Sequence, residues 1–171
     1  MRKINQMLIN SQEIDYKIDR PEMFSNAEKQ LFLKLLIKQN KVRNPTLEKI
    51  ARCKILGIAS FQEDVIAIGA IKPKTKSDFQ IAKANIPTLS EKFAWEVGYF
   101  YTVPKFEGNR ISSGIFDRLL EVYGDGNLMA STEIRRGNRM FQMLLNRQFK
   151  QAGSIWNSEL SENKLQLFLR H

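Results

Sequence analysis

Apolar residues recur at helical spacing early in the chain, and the pattern changes to strand-like runs after Cys53. Leucines lie on one face of a helix over residues 24–39, and Ser25 or Asn26 is suited to cap its start. A Pro-Thr pair then begins a short second helix that runs through Ile50. We therefore expect two helices before the first long strand.

Mostly apolar runs bounded by turn residues predict the strands that follow. These strands are expected over residues 54–61, 65–72, 94–103, 128–131, 149–156 and 165–169. Helical spacing of apolar residues predicts two more helices, over residues 111–122 and 138–147. The segment 74–92 is polar and basic, with one helical turn expected near residues 79–84.

This order of elements predicts an α/β fold. Strand–helix–strand units in the middle of the chain require parallel pairing, whereas strands joined by short turns at the two ends form antiparallel hairpins. The expected architecture is a single mixed β-sheet with helices on both faces. No linker, repeat or low-complexity tract divides the chain, so we expect one domain over residues 1–171. In it, residues 1–52 supply an N-terminal strand and helices, and residues 53–171 supply the core sheet.

Charge narrows the choice of partner. The chain has 27 Lys and Arg against 18 Asp and Glu, a net charge of +9. A surplus of this size attracts nucleic acid, acidic lipid or a phosphorylated cofactor, and charge alone does not choose among them.

Composition also excludes several classes of protein. The longest apolar run, residues 65–70, is far shorter than the ~18 residues that a membrane span needs. No secretory apolar segment follows the basic start of the chain, so a cytoplasmic location without membrane contact is expected. The single Cys53 excludes an internal disulfide and a cysteine metal cluster. The single histidine, His171, argues against a histidine triad, and no metal site is expected.

The segment with the most chemistry joins the strand that ends at Val103 to the helix over residues 111–122. The loop between them contains Gly108. Unpaired amides at the start of such a helix, together with the helix dipole, favour phosphate oxygens. Ser112 and Ser113 can donate hydroxyl hydrogen bonds there, and Arg110 adds a positive charge that suits a diphosphate. An ordinary capped helix would show the same pattern, so both interpretations stay open at this point.

This stretch resembles the GNAT superfamily of N-acetyltransferases. In that superfamily a strand with Glu-x-Gly and a following Val-Pro lead to a pyrophosphate motif, Gln/Arg-x-x-Gly-x-Gly/Ala, which opens a helix. Here Glu96-Val97-Gly98, Val103-Pro104 and the segment 107–112 stand at these places. The later elements also follow the order of the family, so the resemblance covers roughly residues 46–171. It implies a GNAT-like acyltransferase fold and acetyl-CoA (coenzyme A) as the acetyl donor.

The resemblance also implies roles for individual residues. The backbone amides that would bond pantetheine or the thioester carbonyl are those of Tyr101, Thr102 and Val103. The residues that would hold the diphosphate are Gly108, Asn109, Arg110, Ile111, Ser112 and Ser113. Asn138 would bond the pantetheine arm. Glu96 would be the general base for the acceptor amine, because a carboxylate in mostly apolar surroundings accepts a proton more readily near neutral pH. A carboxylate that only balances a lysine is the alternative for Glu96.

The segment departs from the family pattern at three positions, and a second hypothesis follows. Glu107 stands where the family has Gln or Arg, and Arg110 and Ser112 replace its two small residues. The first hypothesis is an acetyl-CoA-dependent N-acetyltransferase for an amine of a small molecule or protein, with residues 1–52 shaping the acceptor side. The second is a non-catalytic basic module that binds nucleic acid or an acidic protein, for which the arginines of residues 134–150 are suited. A homodimer is compatible with either.

Overall fold

The computed structural model describes residues 6–171, and the contacts among them divide the chain into two compact units. The first unit takes the chain up to Lys72 together with Gly98–Gly124. The second unit takes Pro73–Val97 and Asp125–His171.

Seven strands form one mixed sheet. They are β1 (Ile14–Asp19), β2 (Ile55–Phe61), β3 (Asp64–Pro73), β4 (Trp95–Thr102), β5 (Leu128–Ile134), β6 (Lys150–Asn157) and β7 (Lys164–Arg170). Their order in the sheet is β1-β2-β3-β4-β5-β7-β6. Strands β4 and β5 pair in parallel, with Trp95 opposite Leu128, whereas β1–β2, β2–β3, β5–β7 and β6–β7 are antiparallel. The expected α/β sheet, parallel in its middle and antiparallel towards its ends, is confirmed.

Four α-helices accompany the strands. They are α1 (Asn26–Gln39), α2 (Leu47–Ala51), α3 (Ile111–Tyr123) and α4 (Arg139–Leu145). Each lies where the sequence predicted a helix, α2 from its Pro-Thr start and the others from apolar spacing or capping residues, with bounds that differ by a few residues. The structure has a turn over residues 81–84, where one helical turn was expected near residues 79–84, and 3-10 helices at Lys76–Phe79 and Pro87–Lys92 lie on either side of it. The first of these buries the side chains of Asp78 and Phe79, which the polar character of the segment did not indicate. No helix in the described part of the chain is long and apolar enough to span a bilayer.

Helices cover both faces of the sheet in the first unit. Side chains from β2 and β3 pack with α1 and α2 on one face, in a cluster that includes Phe32, Leu36, Ile50, Leu56, Ile58, Ile68 and Ala70. Gly57 and Gly69 alternate with these strand residues and therefore face the other side. Ile115 of α3 packs there, because a Cβ on either glycine would lie within 2.9 Å of its Cγ2 atom. This packing holds α3 against the sheet.

The second unit has its own apolar core. The members of that core are Phe79, Ala84, Phe93, Met129, Trp156, Leu167 and Leu169. Phe168 points to the opposite face of the sheet, since it lies between two core residues of β7. The ring of Phe141 on α4 meets the ring of Phe168 edge-on, with the centroids 5.0 Å apart. The long segment between β3 and β4 thus covers one face, and α4 covers the other.

Candidate active site

Strand β4 changes its backbone conformation in its middle. Tyr99 has φ 62, in the left-handed region that a bulky residue adopts only where the surrounding structure holds it. At the next residue, the carbonyl of Phe100 accepts a hydrogen bond from Nε2 of Gln39 at 2.8 Å. The regular strand is thus interrupted just before Tyr101 and Thr102, whose amides are predicted to bond the thioester.

Val103 uses both of its backbone groups inside the first unit. Its N–H donates to the carbonyl of Ile66 at 2.8 Å, and its own carbonyl accepts from the N–H of Phe106 at 2.8 Å. In this structure the backbone of Val103 anchors the end of β4 and the start of the loop. The contact of its amide with pantetheine or a thioester stays a prediction.

The loop between β4 and α3 keeps two residues in a left-handed conformation. Gly108 has φ 86 and Arg110 has φ 57. For an arginine this conformation costs roughly 1–2 kcal/mol relative to the right-handed region, whereas glycine adopts it freely. Arg110 stands where the pyrophosphate motif has a glycine, so the loop has the backbone geometry expected of glycine at a position occupied by a charged residue.

The N-cap residue of α3, Arg110, does not cap the helix with its side chain. Its carbonyl accepts from the N–H of Gly114 at 3.0 Å. In the described chain the other three α-helices are capped by Ser25, Thr46 and Asn138. The hydroxyl oxygens of Ser112 and Thr102 lie 2.7 Å apart and tie this turn to β4. A helix start without a capping N-cap side chain and with an exposed guanidinium beside it favours an anion.

Asn109 and Gly114 have roles other than phosphate contact in this structure. The side-chain amide of Asn109 bonds to the backbone of Met7, Ile9 and Phe106, so it is not open to a ligand. A Cβ on Gly114 would clash with the phenol group of Tyr16. Close packing against β1 therefore explains the glycine at position 114.

Glu96 lies in the second unit and is only 6% exposed. Its Oε2 atom accepts a hydrogen bond from the N–H of Thr75 at 2.7 Å. Asp78, 4% exposed, is a second buried carboxyl in the same unit. Burial disfavours its ionised form and raises the pKa of Asp78, and the charge of Glu96 raises it further. An ion pair with Lys83 at 3.1 Å opposes this rise.

Asn138 caps α4 and is engaged at both ends of its amide. Its Oδ1 accepts from the N–H of Met140 at 3.1 Å, and its Nδ2 donates to Oγ1 of Thr132 at 3.0 Å and to the carbonyl of Glu133. These partners all lie in the second unit. In this structure Asn138 therefore holds the turn between β5 and α4, a role different from the predicted contact with pantetheine.

Sequence reasoning missed two residues that contact or influence predicted segments, one in each unit. Asp78 lies in a polar, basic segment, where nothing in the local pattern separates a buried carboxyl from an exposed one. Gln39 is the last residue of an amphipathic helix, and its bond to Phe100 joins residues 61 positions apart. No local signal predicts such a bond.

Comparison with known proteins supports the fold. No family model and no curated protein matches the sequence. An acyl-CoA N-acyltransferase from Pseudomonas aeruginosa superposes with a TM-score of 0.68 at 10% identity, over 92% of this chain and 99% of that chain. FeeM, an N-acyl amino acid synthase from uncultured soil microbes, superposes with a TM-score of 0.65 at 13% identity, over 92% of this chain and 91% of that chain.

A third structure carries a ligand. A GNAT family acetyltransferase from Elizabethkingia anophelis with acetyl-CoA bound superposes with a TM-score of 0.59 at 9% identity, over 94% of this chain and 99% of that chain. The fold is thus that of GNAT acyltransferases, and the predicted resemblance is confirmed at the level of the fold. The expected contacts with nucleic acid and with a second copy of the chain stay predictions.

Proposed function

We propose that the protein is an acetyl-CoA-dependent N-acetyltransferase that moves an acetyl group to an amine of a small molecule or a protein. The observation that carries this proposal is the start of α3, where Arg110 adopts a left-handed conformation and does not cap the helix with its side chain. The likeness to GNAT folds, one of which holds acetyl-CoA, supports it.

The residues at the start of α3 fit a diphosphate. We assign the anion to the amides from Gly108 to Ser113 and to the guanidinium of Arg110, because helix amides and a fixed positive charge both favour phosphate oxygens. Glu107 is exposed, so its charge is screened by solvent and weakens this attraction only modestly. Asn109 contributes its backbone and not its side chain.

Acetyl-CoA supplies an acetyl group on a thioester. In the proposed reaction Glu96 accepts a proton from the acceptor amine, directly or through a water, so that the nitrogen has a free electron pair. The amides of Tyr101 and Thr102 donate to the carbonyl oxygen as it gains charge. The nitrogen–carbon bond forms and the carbon–sulfur bond breaks. The nitrogen then loses a second proton, which the sulfur takes up as it leaves as the free thiol.

Calorimetry with acetyl-CoA tests the binding half of the proposal. We expect binding that weakens as salt is added, because salt screens the attraction between the phosphates and the positive charge of the site. Arg110→Asn should weaken it several-fold, since asparagine tolerates the left-handed conformation and the substitution isolates the loss of charge. Arg20→Ala is the control, because it removes an exposed arginine elsewhere in the first unit. No heat with acetyl-CoA, together with retention on a nucleic-acid column, would favour the basic binding module instead.

The pH dependence of turnover tests the catalytic half. Release of free thiol from acetyl-CoA is followed with a panel of primary amines as acceptors. Glu96→Gln keeps an oxygen that can accept from Thr75, so it removes the proton acceptor with little change in packing. We expect turnover at neutral pH to fall about 100-fold, within the usual range for a general base. Glu91→Gln, on an exposed side chain of the same unit, is the control. Unchanged turnover in Glu96→Gln would remove the base role.

A further inference from the structure

Residues 6–9 run along the loop that we assign to the diphosphate. The N–H of Met7 donates to the carbonyl of Lys105 at 2.8 Å. The Nδ2 atom of Asn109 donates to the carbonyl of Met7 at 2.7 Å, and the N–H of Ile9 donates to Oδ1 of Asn109 at 2.9 Å. These groups all lie in the first unit. We call residues 6–9 the N-terminal strap.

One side chain links the strap to the loop. Besides its two bonds to the strap, Asn109 donates from Nδ2 to the carbonyl of Phe106 at 2.9 Å. The amide therefore closes the loop on itself and fastens it to a separate part of the chain. The residues it joins are about a hundred positions apart, so this fastening is a product of the tertiary structure.

The backbone conformation of the residue after Asn109 needs support from its surroundings. Arg110 is left-handed at φ 57, and a non-glycine residue stays in that region only when its surroundings over-determine its conformation. Glycine would not need such support. The three bonds of Asn109 fix the residue immediately before the strained position, and so they restrict the backbone that leads into α3.

We propose that the N-terminal strap is a working part of the acyl-CoA site. Through Asn109, which is a positioning residue, it holds the loop in the conformation that presents the first amides of α3 and the guanidinium of Arg110 to a diphosphate. This inference rests on the proposed function. It adds that the affinity for acetyl-CoA depends on residues at the start of the chain that need not touch the ligand.

A double-mutant cycle in the full chain tests the strap. Asn109→Ala removes all three side-chain bonds, and Ile9→Pro removes the N–H that donates to Asn109. We expect each single variant to bind acetyl-CoA about tenfold more weakly in calorimetry. We expect the affinity of the double variant for acetyl-CoA to equal that of the single variant with the lower affinity, because both substitutions break the same link between the strap and the loop.

The control is a proline one position earlier. Leu8 is 86% exposed, and within the described chain no hydrogen bond from its N–H is found. Leu8→Pro therefore introduces the same backbone restriction without removing a bond to the loop, and its affinity should stay within about twofold of the unmodified protein. Thermal unfolding of every variant is measured beside binding. If Asn109→Ala does not fold, Ile9→Pro against Leu8→Pro carries the test, since both lie outside the strands and helices.

The outcomes separate this inference from the proposed function. If the unmodified protein does not bind acetyl-CoA, the proposed function fails. If it binds and Ile9→Pro binds equally well, the strap has no part in the site. Independent, additive losses from Asn109→Ala and Ile9→Pro would also overturn the inference, since they would mean that Asn109 acts without the strap. A lower unfolding temperature with unchanged affinity would make the fastening purely structural.

Discussion

Helices α3 and α4 begin in opposite ways. The start of α4 is closed by Asn138, whose amide oxygen bonds the first turn and whose amide nitrogen bonds β5. The start of α3 has Arg110 as its N-cap residue, with a left-handed backbone and no capping side chain. The N-cap side chain bonds a first-turn amide in α4, whereas the N-cap side chain of α3 does not.

We interpret the difference as that between a structural helix end and the proposed diphosphate site. Unsatisfied amides at a helix start cost stability, and an N-cap residue typically recovers about 1 kcal/mol. The left-handed Arg110 adds strain, and Asn109 and the N-terminal strap hold the loop against it. Under the proposed function, an anion bound at the start of α3 compensates for the missing cap and for the strain at Arg110.

The largest expected effect comes from placing a negative charge at the N-cap position of α3. Arg110→Asp replaces a charge that attracts phosphate with one that repels it, and aspartate also suits both the left-handed region and the helix dipole. We expect acetyl-CoA affinity to fall by roughly 30-fold, about 2 kcal/mol. The free energy of unfolding should stay the same or rise slightly. Calorimetry and urea unfolding measure the two changes, and an equal loss of both would mean that Arg110 is structural.

Removing the N-cap side chain of α4 is the converse experiment. Asn138→Ala removes the cap and the two bonds to Thr132 and Glu133, so the free energy of unfolding should fall by about 1–2 kcal/mol. Acetyl-CoA affinity should stay within about twofold, because the lost bonds lie within the second unit. A clear loss of affinity with normal stability would restore the predicted contact between Asn138 and pantetheine, and the contrast between the two helices would break down.

A smaller effect is expected from Gly114→Ala inside the first turns of α3. Alanine favours a helix by about 1 kcal/mol over glycine, but its Cβ would clash with Tyr16, and overpacking of this kind costs roughly 1–3 kcal/mol. We expect a net loss of about 1 kcal/mol in urea unfolding, with acetyl-CoA affinity unchanged. Lost affinity at full stability would instead make Gly114 a phosphate-binding glycine.

Local patterns predict the elements of this fold well, and tertiary contacts limit what they say about the site. The helix predicted over residues 111–122 is α3 (Ile111–Tyr123), because its apolar spacing reflects the face that packs on the sheet. The position of Asn138 just before a helix is a capping signal that local reasoning can use. The bonds of Asn109 to Met7 and Ile9 cross about a hundred residues, and the burial of Asp78 depends on the packing of a long polar segment. Neither has a local signature.

The smallest expected change concerns the buried carboxyl of the second unit. Burial and the charge of Glu96 raise the pKa of Asp78 above its ordinary value of 3.8. The folded state therefore binds the proton of Asp78 more tightly than the unfolded state, and Asp78 lowers the free energy of unfolding as the pH rises above about 4. An asparagine side chain has no such proton to lose. The free energy of unfolding of Asp78→Asn, relative to that of the unmodified protein, should therefore be higher at neutral pH than at about pH 4.

Urea unfolding over this pH range measures the difference, with Asp125→Asn as a control on an exposed carboxyl of the same unit. As the pH rises, we expect the free energy of unfolding of Asp78→Asn to increase relative to that of the unmodified protein. For the control, this difference should change little with pH. A change in the opposite direction for Asp78→Asn would mean that Asp78 is stabilised as an ion by Lys83. The ion pair with Lys83 would then compensate the buried charge of Asp78, as Asn138 compensates a first amide of α4.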